Sequence, residues 1–350
     1  MSYEPVDRLP VLSVEPYEQL AVERWHGEGL PVGKTPEEFL AMSRLVHIGG
    51  VGLTPIPAFP EEILDEDDEY LVQTTGMGAT VKRRKEAPAT FYGHIDHPIK
   101  SRADWDRYKE RLDPKSPDRL AGIFSDENLD RLRASVDPVG LCFFPFFFRF
   151  GYYTMGMERF LTSFHDEPDL MIDIFDHGSR LILELLPLIL EKIQVDYALF
   201  AEDLAWKQGP LISPGIYERF WYPLQDPIIR MLQDAGVPLI CQWSAGRFDE
   251  LVSGMLDHGF NCTWPLERKA GVDANEMRQI HGRRLRLGGN IAMDAVVDGP
   301  AAIDKEIERL YPLIRDGGYI PAMDDMAPLE CPFPHFRYMI ERLKDLRLQQ

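Results

Sequence analysis

Short apolar runs alternate along the chain with longer stretches whose apolar positions recur every three or four residues. The first pattern predicts buried β-strands and the second amphipathic helices. Strands are expected at 139–144, 196–201, 237–242, 260–264, 285–288 and 318–321, with weaker candidates at 10–14 and 46–49. Between them, Phe248, Leu251, Val252, Met255 and Leu256 share one helical face, as do Ile303, Ile307, Leu310 and Ile314. Ser213 before Pro214 reads as an N-cap with proline at the first helical position, and Gly236 as the stop. Asp273 and Glu276 have capping-box spacing ahead of a stop at Gly282. Strands alternating with helices imply a parallel sheet, and eight such units imply a closed (β/α)8 TIM barrel, one domain spanning 1–350. An open doubly wound sheet is the alternative. One stretch breaks the rhythm: 69–74, 80–85 and 90–95 read as a small antiparallel β insertion near residues 69–95. Its basic run, Lys82, Arg83, Arg84 and Lys85, fits a solvated, charge-blunted strand.

Charge then narrows the partners. With 57 acidic and 38 basic residues, the formal charge is −19, which repels phosphate backbones and anionic lipid. No apolar run approaches the roughly 18 residues of a membrane span, and no basic-then-apolar leader opens the chain. Nucleic acid and membrane are therefore not expected partners. The cysteines, Cys142, Cys241, Cys262 and Cys331, are widely spaced without a CxxC pair, as in a cytoplasmic protein with reduced thiols.

In a barrel of this kind chemistry sits at the C-terminal ends of the strands. Those positions carry Glu15; Gly50; Pro145 with Phe146; Glu202 with Asp203; Gln242 with Trp243; Pro265 with Glu267; Gly289 with Asn290; and Met323, Asp324 and Asp325. Carboxylates converging in an apolar cup lose hydration and repel one another, which suits acid–base work or metal ligation. Glu202, Asp203, Glu267 and Asp325 are the expected catalytic groups. Strand alternation lets only one of Glu202 and Asp203 point inward; the alternative is an ion pair with Lys207. Glu267 could equally pair with Arg268 or Lys269, and Asp324 and Asp325 could cap a turn or helix. The run from Phe143 to Tyr153 is rich in aromatics around Arg149. It suggests an aromatic-walled pocket in which Phe146, Phe148 and Trp243 form walls and Arg149 meets an anionic substituent, with Asn290 and Asp324 as further substrate contacts. Cys241 reads first as an inert buried thiol. The histidines, His94, His97 and His258 among them, are scattered without metal-ligand spacing.

These same positions carry a resemblance. Arg8-Leu9-Pro10-Val11, Glu23-Arg24-Trp25, the 202–214 stretch from Glu202-Asp203-Leu204-Ala205 to Ser213-Pro214, Pro265-Leu266-Glu267, Gly289-Asn290 and Gly317-Gly318-Tyr319-Ile320-Pro321 resemble the uroporphyrinogen decarboxylase superfamily, which includes cobalamin-linked methyltransferases. The resemblance covers nearly the whole chain. It implies the barrel, and two reactions: decarboxylation of porphyrinogen acetates, or methyl transfer to a corrinoid carried on another protein. The true decarboxylases carry an arginine-rich loop after the first strand, where this chain has Val14-Glu15-Pro16-Tyr17-Glu18-Gln19. Their Phe-Ser-Asp motif is matched only by Phe124-Ser125-Asp126, which reads as a helix N-cap. Their Asn-x-Asp is Asn290-Ile291-Ala292 here. The methyltransferases of the superfamily bind zinc through His-x-Cys and a second cysteine, which become Leu239-Ile240-Cys241 and Asp325 here. The resemblance thus implies a methyltransferase acting on a small, aromatic methoxy substrate and a corrinoid protein, with zinc at Cys241 together with Glu202 or Glu267. A homodimer stays open. A lyase decarboxylating a smaller carboxylated substrate and a non-catalytic tetrapyrrole-binding barrel are the alternatives.

Overall fold

The computed structural model describes every residue except 2, 5–8, 13–16, 18, 50, 88–91 and 347–350. It is mixed α/β of the TIM-barrel type, with parallel strands alternating with helices and a small antiparallel sheet inserted. In chain order the strands are β1 (Val46–Ile48), β2 (Ile63–Glu66), β3 (Tyr70–Thr74), β4 (Thr80–Arg84), β5 (Gly93–Asp96), β6 (Val139–Phe143), β7 (Tyr197–Ala201), β8 (Ala205–Trp206), β9 (Gly209–Pro210), β10 (Leu239–Trp243), β11 (Cys262–Trp264), β12 (Arg286–Ile291) and β13 (Tyr319–Met323). The chain forms two compact units. One comprises Val46–Asp203 and Leu211–Ile240; the other comprises Met1–Leu45, Leu204–Pro210 and Cys241–Gln350.

In the first unit β1, β6 and β7 pair in parallel, with Val46 opposite Val139 and Gly140 opposite Tyr197. Alternation divides them into two faces. Ile48, Leu141, Phe143, Ala198 and Phe200 form the buried one. Phe146 stacks on Phe147 with centroids 4.1 Å apart, Phe147 on Phe175 at 4.6 Å, and Trp221 meets Phe175 at 4.8 Å, extending that core. Each such ring contributes roughly 1.5–3 kcal/mol by leaving water. The other face, carrying His47, Gly140, Cys142, Tyr197 and Leu199, is looser. Gly140 is needed there, because a Cβ would lie 2.2 Å from the Tyr197 ring.

The insertion has four antiparallel strands in the order β2-β3-β4-β5. Its first strand was not expected: Ile63–Glu66 is exposed throughout, two apolar residues followed by two acidic ones, so no alternation marks it. The basic run behaves as a solvated strand, with Lys85 pairing with Glu66 at 2.6 Å and Lys82 lying 4.3 Å from the centre of the Tyr70 ring. His97, just past β5, packs on Gly156, whose φ is +81° and whose Cβ would meet that imidazole at 2.7 Å.

In the second unit the parallel register places Cys241 opposite Cys262, Leu287 opposite Tyr319 and Asn290 opposite Ala322. The helix Pro300–Asp316 buries Ile303, Ile307, Leu310 and Ile314, as its periodicity predicts. Asp273 caps Ala274–His281 by accepting from the Asn275 and Glu276 amides. The weak strand at 10–14 is represented by one parallel bridge, Leu12 to Ser43. Pro10 and Val11 are described but form no strand, while residues 13–14, Glu15, Gly50 and residues 90–91 lie outside the described residues. Among the described residues no helix is long and apolar enough to cross a membrane.

Candidate active site

The end of β7 separates its two carboxylates. Glu202 continues the buried face of Phe200 and is completely inaccessible. Its Oε1 accepts from the Phe148 amide at 2.8 Å and its Oε2 from the Arg149 amide at 2.9 Å. Those amides belong to the first turn of the helix Phe147–Met155, whose own N-cap residue, Phe146, supplies no side-chain cap. Glu202 therefore caps this helix from a neighbouring strand, satisfying amides that the helix itself cannot. Burial pushes its carboxyl up to about 8, with the two amides and Arg149 pulling the other way.

Asp203 continues the looser face and meets the Arg149 guanidinium at 2.9 Å. Burial raises its carboxyl while Arg149 draws it down. Arg149 Nη1 donates to the Tyr153 hydroxyl at 3.1 Å, and its guanidinium lies 5.1 Å from the centre of the Phe144 ring. Burial disfavours the Arg149 charge, but Asp203, Tyr153 and Glu202 together hold its pKa above the ordinary value. The expected walls need correcting. Phe146 and Phe148 are fully buried, Phe148 edge-on to Phe160 at 5.2 Å, so both serve the core. The helix that starts at Phe147 turns them inward. Phe144, which sequence reasoning did not single out, is 45% exposed and presents its ring beside Arg149. It continues the looser face of Cys142 at the end of β6, and nothing in the run of phenylalanines around it set it apart.

In the second unit the predicted residues cluster around the ends of β11, β12 and β13, mostly in structural employment. Asp324 accepts from the Arg268 amide at 2.7 Å and the Met293 amide at 2.8 Å. Burial lifts its carboxyl to about 6, helped by the charges of Asp325 and Glu267. Asn290, at φ +72°, accepts from the Ala274 amide and Arg309 and donates to the carbonyls of Leu266 and Val272. Its amide is saturated, so the expected substrate contact is instead a strut. Glu267 accepts from the Gly246 amide at 2.7 Å and remains half-buried. Asp325 is exposed and accepts from the Met326 amide. Trp243 is half-buried at the end of β10.

A family model described as uroporphyrinogen decarboxylase (URO-D) matches residues 69–346. The chain belongs to the uroporphyrinogen decarboxylase family. Among solved structures it is similar to a methyltransferase from Methanosarcina mazei, with a TM-score of 0.56 at 16% identity over 97% of this chain and 94% of that one. At that identity the likeness speaks to the fold. No curated protein matches the chain significantly.

The zinc that the resemblance to decarboxylase-family methyltransferases implies does not fit the donors described. Among the described residues no three histidine, cysteine, aspartate or glutamate side chains come together as a metal site. Cys241 is buried, and burial and its hydrogen-bonded neighbour Cys262 drive its thiol well above the ordinary range. A thiol held protonated in this way is a poor nucleophile.

Proposed function

We propose that this member of the uroporphyrinogen decarboxylase family is a methyltransferase that moves a methyl group from a small methoxy-bearing aromatic substrate to a corrinoid carried on a separate protein. One electrostatic observation carries the choice over porphyrinogen decarboxylation: among the described residues, three cations near these strand ends each already hold one carboxylate and have little capacity for several more. Arg149 pairs with Asp203 at 2.9 Å, Arg268 with Asp273 at 2.8 Å and Lys269 with Asp294 at 2.9 Å. A substrate with many carboxylates would have to bury them without counter-charge, at several kcal/mol each. A flat, lightly charged substrate asks only for an aromatic surface and one guanidinium, which Phe144 and Arg149 provide. A neighbour that shares the fold, the M. mazei protein, is itself a methyltransferase, which lends the reading support.

The residues divide the work by geometry. Phe144 offers a ring for stacking. Glu202 ties down the first helical turn and so fixes where Arg149 leaves the backbone, while Asp203 and Tyr153 orient the guanidinium. As the oxygen–methyl bond breaks, the oxygen keeps the bonding pair, and the methyl carbon takes its new bond from the electron pair of the reduced corrinoid. The pre-oriented Arg149 N–H groups take the substrate's carboxylate and hold its ring against Phe144. The test mixes the purified protein with a reduced corrinoid protein and a panel of methoxybenzoates, and follows the absorbance of methylated corrinoid. A methoxybenzoate-dependent rise is expected; a flat trace with a partner shown competent by another methyl donor would overturn the reading.

A further inference from the structure

The looser face of β1, β6 and β7 changes character along the strands. Its lowest row pairs Gly140 with Tyr197, whose ring covers the bare glycine. The Tyr197 hydroxyl is already engaged, by the Val46 carbonyl at 3.2 Å and His47 Nδ1 at 3.1 Å. The next row pairs Cys142 with Leu199, and both are partly open to solvent. Above it stand Phe144, which is 45% exposed, and then the Arg149–Asp203 ion pair. Alternation puts Cys142 and Phe144 on one side of the chain, roughly 7 Å apart, which is about the reach of a benzene ring. Burial lifts the Cys142 thiol to about 11 against the pull of Arg149, so it stays protonated and behaves as a small apolar group. A thiol is a weak donor and a weak acceptor, and the leucine beside it is neither. Of the cysteines, Cys142 alone can be reached from solvent, since Cys241, Cys262 and Cys331 are buried.

We infer that Cys142 and Leu199 are specificity-determining residues, an apolar shelf that selects what the substrate carries on the ring carbon opposite its carboxylate. This rests on the reading of Phe144 and Arg149 as the substrate's seat. With the carboxylate on Arg149 and the ring against Phe144, the far end of the ring comes down on the Cys142–Leu199 row. A methyl group there exchanges water for an apolar surface. A hydroxyl there loses its water and meets only a thiol. The methoxy group that reacts then belongs on a side edge of the ring, clear of the shelf.

The experiment titrates the purified protein with benzoate, 4-methylbenzoate and 4-hydroxybenzoate by calorimetry. In parallel, mass spectrometry follows the reaction of Cys142 with methyl methanethiosulfonate. 4-Methylbenzoate is expected to bind about fourfold more tightly than benzoate, the worth of one buried methyl group, and at least about tenfold more tightly than 4-hydroxybenzoate. It should also shield Cys142 from the reagent. Cys142→Ser places a hydroxyl partner on the shelf and should bring the two substituted benzoates level. Leu199→Ala, which keeps the thiol, should erase the advantage of 4-methylbenzoate over benzoate. If all three probes bind and Arg149→Gln weakens them, yet they bind alike and leave Cys142 as reactive as before, the inference is overturned and the proposed seat survives. If none binds, the seat is wrong and the inference falls with it.

Discussion

Replacing Glu202 by glutamine isolates the largest buried charge question in the molecule. In the unfolded chain a glutamate titrates near 4.5; in the fold, burial lifts Glu202 to about 8. The folded state therefore holds a proton that the unfolded state has lost, and stability drains away as pH rises between those two values. The gap corresponds to roughly 5 kcal/mol. Glutamine is neutral throughout and has nearly the shape of the protonated acid. At pH 5, Glu202→Gln is expected to cost only about 1–2 kcal/mol, because its NH2 faces one of the two amide donors of Phe148 and Arg149. By pH 8.5 the parent protein should have lost most of its advantage and the variant should be the more stable. At about 2 °C per kcal/mol for a chain of this size, the difference in melting temperature between variant and parent should move by on the order of 10 °C. Differential scanning fluorimetry of both proteins from pH 5 to pH 9 measures it. Parallel curves, with the variant below the parent by a constant amount, would refute the reasoning: the two amides and Arg149 would then have kept the carboxylate ionised against its burial.

Other changes probe the remaining groups. Asp203→Asn leaves Arg149 without its 2.9 Å counter-ion; methyl transfer to the corrinoid should fall at least tenfold in kcat/KM, with a smaller effect on melting because Asp203 is partly solvated. Asn290→Ala removes four hydrogen bonds at a left-handed position and should lower stability by about 2–4 kcal/mol in urea titration; a loss below ~1 kcal/mol would contradict the strut role. Cys241→Ala should leave bound zinc, measured by inductively coupled plasma mass spectrometry, unchanged from the parent and should keep methyl transfer; stoichiometric zinc lost in this variant would restore the metal reading.

The barrel strands were legible because each is a short, almost uninterrupted apolar run. The structure moves their ends by no more than three residues, as at 285–288, which is Arg286–Ile291. The caps at Ser213, Asp273 and Ser125 were legible too, since a side-chain oxygen beside its own helix is a local event. What the sequence hid was long-range. Nothing near Glu202 announces that its oxygens meet amides more than fifty residues away, or that Asp324 and Asn290 are consumed by the backbone between strands. The aromatic run from Phe143 was read as a pocket, but Phe146 and Phe148 became core because a helix begins at Phe147. Phe144, the ring left outside, looked no different from its neighbours.

Gly156 gives the insertion an unusual vulnerability. The imidazole of His97 rests where any other residue would put its first carbon, so the sheet and the helix are latched by a missing methyl. Exchanging this glycine for alanine is a way to prise the sheet loose while every reacting group keeps its identity. A lineage that drifted to a side chain there would have to re-seat His97 and the end of the inserted sheet beside it.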